Sequence, residues 1–245
     1  MKIFETLIEL RRDIVFERAW FTSFNMSPYF VEKYVLPVIA GTHENLPSKM
    51  YDYEALQESL QSVDIRFFCD FRALELTEGK KTSVPFHQVN VKTLNGTDGK
   101  TFDGIFHPKV IFIQGRDKEG VYRSFLLTGS ANLTVSGWGR NRESLVVREI
   151  SDRRNGEKVW AFFKALMPER DIRKSYLDAI NDWLGTLAQT EADWEFVSAL
   201  CGDDFASSLI PKTSDSLHIW SPYFSNDLSA TAARFFGNKV EGNIC

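Results

Sequence analysis

Residues 104–114 read GIFHPKVIFIQ and residues 121–128 read VYRSFLLT, and these two apolar stretches decide the fold. Aromatic and β-branched residues dominate both, and such residues favour strands. The polar segment GRDKEG between them predicts a hairpin turn longer than two residues. Residues 130–139 contain too many glycine and polar residues for a strand, so they predict a loop with a short helix. A further strand is expected over 143–150.

Strands and helices alternate on the N-terminal side of this hairpin. The dipeptide Ser27-Pro28 is typical of a helix start, because serine caps the first turn and proline fits its first position. The predicted elements are a strand over 13–25, helices over 29–39 and 53–62, and strands over 63–69 and 86–92. This alternation predicts an α/β fold in which helices flank a mixed β-sheet.

The remainder of the chain predicts a change of architecture. Apolar residues at helical spacing indicate helices over 157–167 and 172–187. The tetrapeptide SPYF at 27–30 recurs at 221–224, each time after an aromatic strand candidate, which suggests a duplication. We therefore expect a catalytic lobe over 1–150, a helical linker over 151–212 and the beginning of a truncated second lobe over 213–245.

Composition and charge narrow the class of protein. The net charge is −4, but residues 106–160 carry ten Lys/Arg against six Asp/Glu, so this part is +4 and the remainder is −8. An anionic substrate drawn to one region fits this asymmetry better than a protein that coats DNA. Three scattered cysteines without a CxxC pair argue against a disulfide framework and a zinc site. With no secretory pattern at the start and no apolar run of bilayer length, a cytoplasmic protein is expected, with no membrane contact.

The segment His107-Pro-Lys109 supplies the residue types that phosphate chemistry needs. Residues i and i+2 of a strand point to the same side, so the imidazole and the ammonium are expected to share one site. A neutral imidazole can attack phosphorus while the cation holds the non-bridging oxygens. The amide of Asn132 can donate to the same oxygens, and backbone N–H groups around Gly129 can join it. Glu143 is expected to accept a hydrogen bond from the second ring nitrogen of His107.

With these residues the sequence resembles the phospholipase D superfamily, whose signature is HxK followed by GSxN. His107-Pro-Lys109 and residues 129–132, GSAN, match both parts in order. The resemblance implies that His107 is the nucleophile of a covalent phosphohistidine and that Lys109 and Asn132 bind the phosphate. It also implies that Ser130 supports the phosphate loop.

One position departs from the usual pattern HxKxxxxD, because Gln114 stands where the family has Asp. The branch that resembles tyrosyl-DNA phosphodiesterase also lacks this Asp and has a Trp soon after the Asn. Trp138 and Glu143 fall at similar places, so the chain looks closer to bacterial relatives of that nuclease-like branch than to lipid hydrolases. Trp138 could stack on a nucleobase or simply pack, and Arg140 could contact a nucleic-acid backbone or be a solvated charge.

The superfamily uses two facing HxK motifs, and this chain contains one. The resemblance therefore implies that a second copy of the chain, a missing C-terminal lobe or another subunit completes the site. The leading hypothesis is a phosphodiesterase, needing neither metal nor cofactor, that acts on nucleic acid in DNA repair, restriction or phage defence. A phospholipase D-type lipid hydrolase and a non-catalytic subunit that binds DNA or protein are the alternatives.

Overall fold

A computed structural model describes residues 2–42, 50–72, 86–94, 104–190 and 192–201 of this chain. The helices are α1 (Lys2–Asp13), α2 (Pro28–Phe30), α3 (Leu36–Ala40), α4 (Met50–Leu60), α5 (Val135–Gly139), α6 (Arg153–Leu166) and α7 (Lys174–Thr186). The strands are β1 (Val15–Ser23), β2 (Asp64–Asp70), β3 (Phe86–Val89), β4 (Val110–Arg116), β5 (Tyr122–Gly129) and β6 (Leu145–Glu149). A π-helical turn (Val31–Val35) joins α2 to α3, and short 3₁₀ turns lie at Val91–Thr93, Glu169–Asp171 and Ala199–Cys201.

The six strands form one mixed sheet in the order β3-β2-β1-β4-β5-β6. Strands β1, β2 and β3 run parallel, whereas β4, β5 and β6 pair antiparallel to their neighbours. Parallel strands need helical crossovers, which α2 to α4 provide between β1 and β2. The mixed sheet with flanking helices confirms the α/β fold predicted from the sequence.

Each face of the sheet carries its own apolar core because side chains alternate along a strand. On one face, Phe21, Phe67 and Ile111 pack under α1 to α5. On the other face, Trp20 and Phe112 pack against the helical residues Phe163 and Trp183. Burial on both faces explains why β4 begins with a continuous apolar run over Val110 to Ile113.

The predicted elements occur with adjusted boundaries. Ser27 caps α2 by accepting from the backbone N–H of Phe30 at 3.4 Å, as its sequence context indicates. The strand expected from residue 104 begins only at Val110, and the strand expected to reach residue 92 ends at Val89. Helix α1, for which the sequence analysis gave no prediction, buries Ile3, Leu7 and Leu10 along one stripe.

The helices α6 and α7 follow β6, in agreement with the helical character predicted after residue 150. The predicted domain boundaries themselves stay predictions. Residues 213–245, which the sequence analysis assigned to a second lobe, lie outside the described residues.

Candidate active site

The functional candidates meet at one edge of the sheet because of strand direction. Strand β1 ends at this edge, and β4 begins there because it runs antiparallel to β1. Strand β5 ends at the same edge and β6 begins there. The topology therefore gathers the segments around residues 24, 107, 130 and 143, which are far apart in sequence.

His107 and Lys109 lie in an extended segment just before β4. The backbone carbonyl of Lys109 accepts from the N–H of Gly129 at 3.1 Å, so the pairing with β5 begins one residue before β4. Both side chains project to one side, as the sequence predicts: Lys109 Nζ is 2.9 Å from His107 Nδ1 and 3.2 Å from Nε2. The same ammonium donates to the carbonyl oxygen of His107 at 3.0 Å.

The electrostatics of this pair favour a neutral imidazole beside a cation. Partial burial, and then the charge of Lys109, lower the pKa of His107 below its ordinary value. Burial lowers the pKa of Lys109 to about 8, with the negative charge of Glu143 acting in the opposite direction. At neutral pH, His107 is thus mostly neutral, with a lone pair on one ring nitrogen, while Lys109 stays mostly protonated.

The amide of Asn132 is oriented by the end of β1. Its Oδ1 accepts from Ser23 Oγ at 3.3 Å and from the backbone N–H of Asn25 at 3.2 Å. Because a backbone N–H can only donate, these contacts identify Oδ1 and leave Nδ2 as the outward donor. Among the described residues, no acceptor is hydrogen-bonded to Nδ2.

Three consecutive residues at the end of β1 touch both motifs. Thr22 Oγ1 accepts from the N–H of Val110 at 2.8 Å and donates to its carbonyl at 3.2 Å, directly after Lys109. Ser23 holds Asn132, and its Oγ also accepts from the N–H of Leu133 at 3.0 Å. The ring of Phe24 lies 5.1 Å from that of His107. One strand end therefore connects the HxK segment to the GSxN segment.

Sequence reasoning did not identify Thr22, Ser23, Phe24 or Asn25 as parts of the site. The available signal was the polar pair Thr22-Ser23 at the end of a strand rich in aromatic residues, shortly before the helix start at Ser27. Polar side chains at the carboxyl end of a central strand mark a site edge in α/β folds.

Glu143 is placed differently from the expectation. Its Oε2 accepts from Ser130 Oγ and its Oε1 from Asn141 Nδ2, the latter at 3.2 Å, rather than from His107. The reason is the backbone pairing directly after β5 and before β6, where the N–H of Ser130 donates to the carbonyl of Ser144 at 3.2 Å. This pairing sets the Ser130 hydroxyl beside the carboxylate, so Glu143 acts on Lys109 through its charge alone.

The backbone around Gly129 also differs from the expectation. The N–H groups of Gly129 and Ser130 are both used inside the sheet, so neither can donate to a phosphate. Glycine is needed at 129 for another reason: a Cβ there would lie 2.4 Å from the carbonyl oxygen of Ser144. Its absence permits the close approach of two backbones.

Trp138 cannot stack on a substrate base as the structure places it. Its side chain is 2% exposed and packs edge-on against Phe30, with ring centroids 5.4 Å apart. The helical position of residue 138 in α5 turns the ring towards the core, so packing is its role. Arg140, at the end of α5, and Arg142 are exposed and pair with no other described residue.

Gln114, which replaces the usual aspartate, lies inside the sheet rather than at its edge. It is fully buried, accepts from the guanidinium of Arg18 and donates to Ser124 Oγ at 3.0 Å. A buried cation is therefore hydrogen-bonded to a neutral amide at this position. Gln114 serves the polar interior of the fold and does not reach the edge that carries His107.

The described residues contain neither a metal-binding cluster nor a helix that could span a membrane. Within these residues, no group of three or more His, Cys, Asp and Glu side chains is arranged to bind a metal ion. The described helices include none with the length and apolar character that crossing a bilayer requires.

One known protein family matches the part of the chain that contains both motifs. Residues 51–167 match the family described as "Cardiolipin synthase, PLD-like domain", and this range contains His107, Lys109, Asn132 and Glu143. No curated protein matches the chain. The matched range covers just under half of the chain and is similar to a domain of the phospholipase D superfamily, whose general chemistry is phosphodiester hydrolysis.

Proposed function

We propose that this chain supplies one half of a phosphodiesterase site that acts on nucleic acid through a covalent phosphohistidine. The carrying observation is the 2.9 Å contact between Lys109 Nζ and a ring nitrogen of His107 at the sheet edge where Asn132 presents its amide. A neutral imidazole, a cation and a neutral donor together match a nucleophile and its phosphate clamp.

In the first step, a ring nitrogen of His107 attacks phosphorus in line with the leaving oxygen. The N–P bond forms as the P–O bond breaks, and the leaving alkoxide takes a proton from a general acid. Lys109 and Asn132 stabilise the charge that develops on the non-bridging oxygens. In the second step, water attacks phosphorus and gives a proton to the group that acted as general acid, now a base; the N–P bond breaks and neutral His107 is restored.

The general acid is proposed to come from outside the lobe that carries His107. The chain contains one HxK motif, so a second lobe, a second copy or another subunit must supply the facing acid. An alkoxide leaving group depends on this acid far more than a nitrophenolate does, because nitrophenolate leaves without protonation. Hydrolysis of a nitrophenyl ester therefore tests the nucleophile alone, whereas hydrolysis of an alkyl ester also tests whether the general acid is present.

Charge near the edge favours nucleic acid as the substrate. Lys109, Arg140 and Arg142 lie on the segments that form the edge, and both arginines are exposed. Nucleic acid presents several phosphates in a row, so cations beyond the reacting phosphate add affinity. This reasoning also favours the nuclease-like branch of the superfamily, including roles in repair, restriction or phage defence.

One observation favours a lipid substrate as the second candidate. A cavity of about 820 Å³ lies behind the HxK segment, lined by Phe106, Pro108 and other mostly apolar side chains. Such a volume suits an acyl chain or another apolar group. The cavity faces the sheet side opposite to His107 and Lys109, so nucleic acid stays the first choice.

The test uses the whole chain in EDTA with three substrates: bis(p-nitrophenyl) phosphate, a labelled single-stranded oligonucleotide and phosphatidylcholine vesicles. We expect release of nitrophenolate and a base-stable, acid-labile phosphoryl adduct on the peptide that contains His107. His107→Ala should abolish both. His87→Gln, a change at a half-buried histidine that stacks on Phe68, is the matched control.

Each outcome assigns one of the candidate functions. Oligonucleotide cleavage that rises with the square of protein concentration indicates completion by a second copy of the chain. Hydrolysis of the vesicles with the oligonucleotide untouched would replace the nucleic-acid proposal by the lipid one. Oligonucleotide binding without an adduct or turnover, unchanged in His107→Ala, would overturn the enzymatic proposal in favour of a binding subunit.

A further inference from the structure

Asp70, the last residue of β2, is fully buried and accepts hydrogen bonds from two directions. The guanidinium of Arg72 binds both of its oxygens, from Nε at 2.8 Å and from Nη2 at 2.9 Å, and the backbone N–H of Arg72 adds a bond at 3.0 Å. From the other side, the backbone N–H of Phe106 donates to Asp70 Oδ2 at 2.8 Å.

Arg72 extends this contact to a second point on the same segment. Its Nη2 donates to the carbonyl oxygen of Gly104 at 3.1 Å. The Asp70–Arg72 pair, named here the β2 clamp, therefore holds residues 104 and 106, directly before His107. Residues 104–109 belong to no helix or strand. Hydrogen bonds to Asp70 and Arg72 therefore satisfy backbone groups that strand pairing would otherwise satisfy.

The β2 clamp also explains why buried and exposed side chains alternate along residues 105–107. Phe106 is 2% exposed and packs into the core beside α6, whereas Ile105 is 50% exposed and His107 is exposed too. Anchoring of the Phe106 N–H fixes the rotation of the chain at this point. The rotation in turn decides whether the next side chain, that of His107, points to Lys109.

The carboxylate of Asp70 is ionised under all ordinary conditions. Its hydrogen bonds from Arg72 are the largest cause that lowers its pKa to about 2, and bonds from the backbone N–H groups of Arg72 and Phe106 act in the same direction. Charge-assisted, two-point contacts of this kind define geometry more strictly than neutral bonds do.

We infer that Asp70 and Arg72 are positioning residues that hold the peptide before His107 so that its imidazole faces the scissile phosphate. This inference rests on the proposed function. Among the described residues, the clamp joins residues 70, 72, 104 and 106, and the Arg72 side chain is 45% exposed, so its replacement removes no apolar side chain from either core. A purely structural role would act on unfolding instead of turnover.

The test compares Arg72→Gln with Arg123→Gln, which also removes a half-exposed arginine from a carboxylate pair, here with Glu149 across β5 and β6. On bis(p-nitrophenyl) phosphate, Arg72→Gln should lower kcat by about tenfold or more, because a misplacement near 1 Å costs up to about 10²-fold in rate. KM should stay within about threefold, since Lys109 and Asn132 remain. Arg72→Lys, which keeps the charge but loses the fork, should recover part of the loss.

A second readout does not depend on activity. Diethyl pyrocarbonate modifies accessible neutral imidazoles, and mass spectrometry reports the rate at His107 separately from that at His87. Arg72→Gln should change the His107 rate at least threefold relative to Arg123→Gln, with the His87 rate equal in the two variants. Both rates are measured at a temperature where the two variants are folded, because loss of Arg72 leaves the buried Asp70 carboxylate without its cation and lowers Tm.

The two proposals fail in different ways. Absence of turnover and adduct in the unmodified protein would sink the proposed function, and the modification rate would then decide the clamp alone. Equal kcat and equal His107 rates in Arg72→Gln and Arg123→Gln would overturn the clamp while the function stands. A loss of kcat with an unchanged His107 rate, both measured where Arg72→Gln is folded, would also overturn it, because the position of His107 would then be unaffected.

Discussion

The tight packing between α5 and Asn132 allows a steric test of the site. A Cβ added at Gly137 would lie 2.3 Å from the carbonyl oxygen of Asn132 and 2.9 Å from its backbone nitrogen. Ordinary van der Waals contact begins at 3.4 Å, so the two backbones must separate by about 1 Å to admit Gly137→Ala. Both contacts are with backbone atoms, which cannot rotate away as a side-chain tip can.

Two opposing effects set the magnitude. Alanine is favoured over glycine inside a helix by up to about 1 kcal/mol, which would stabilise Gly137→Ala in α5. Overpacking of a well-filled region costs about 1–3 kcal/mol. The substitution Gly185→Ala isolates the second effect, because Gly185 lies in α7 with nothing within 4 Å of its added Cβ. We expect Gly137→Ala to unfold more easily than Gly185→Ala by about 1–3 kcal/mol.

The assay combines urea unfolding with turnover of bis(p-nitrophenyl) phosphate. A shift of about 1 Å at Asn132 should lower kcat by up to about 10²-fold, whereas Gly185→Ala should leave kcat unchanged. If Gly137→Ala were as stable and as active as Gly185→Ala, the proposed contact between α5 and the Asn132 backbone would be refuted.

Three further outcomes are expected. Asn132→Asp should reduce kcat by at least about 10²-fold with little change in Tm, because one oxygen still accepts from Ser23 while the other repels phosphate. Inorganic vanadate should bind the unmodified protein progressively more weakly as pH rises through about 8, where Lys109 loses its proton; in Lys109→Arg this loss should move to higher pH, as titration of the vanadate Kd would report. The lowered pKa of Asp70 means that its ionisation stabilises the fold above its unfolded value of 3.8 and that this contribution is lost as pH falls to about 2. Asp70→Asn should therefore show a flatter fall in unfolding free energy between those pH values.

Each of these outcomes has a contrary result. An unchanged kcat in Asn132→Asp would show that the Asn132 amide does not bind the phosphate. A vanadate Kd that is independent of pH between 7 and 9.5 would show that the Lys109 ammonium does not bind it. If the unfolding free energy of Asp70→Asn fell with pH as steeply as that of the unmodified protein, the pKa of Asp70 would not be lower in the folded chain than in the unfolded one.

The sheet and the central pair could be predicted from local patterns. Segments rich in aromatic and β-branched residues predicted β1, β2, β4 and β5, because such residues favour strands. The i, i+2 spacing placed His107 and Lys109 side by side, and this geometry depends on backbone extension alone. The short helix after residue 130 was also predicted, because residues 130–139 are too rich in glycine and polar residues for a strand.

The remaining contacts depend on tertiary pairing, which a single sequence does not contain. Glu143 binds Ser130 because β5 and β6 bring them together, and sequence distance to His107 could not reveal this. The ring of Trp138 is buried because α5 lies against Phe30 of the first helical segment. The end of β1 and the β2 clamp were missed for the same reason, since their partners lie 32 or more residues away in sequence.

The strand order has a consequence for how this domain can be divided. The family match starts at residue 51, but β1 lies before it and occupies an inner place between β2 and β4. A protein begun at residue 51 would lack the strand that joins the two halves of the sheet, leaving β2-β3 and β4-β5-β6 as separate ribbons with unpaired inner edges. Exposed edges of this kind promote aggregation. The smallest piece that can fold as this lobe must therefore start before Val15, whatever extent the family pattern suggests.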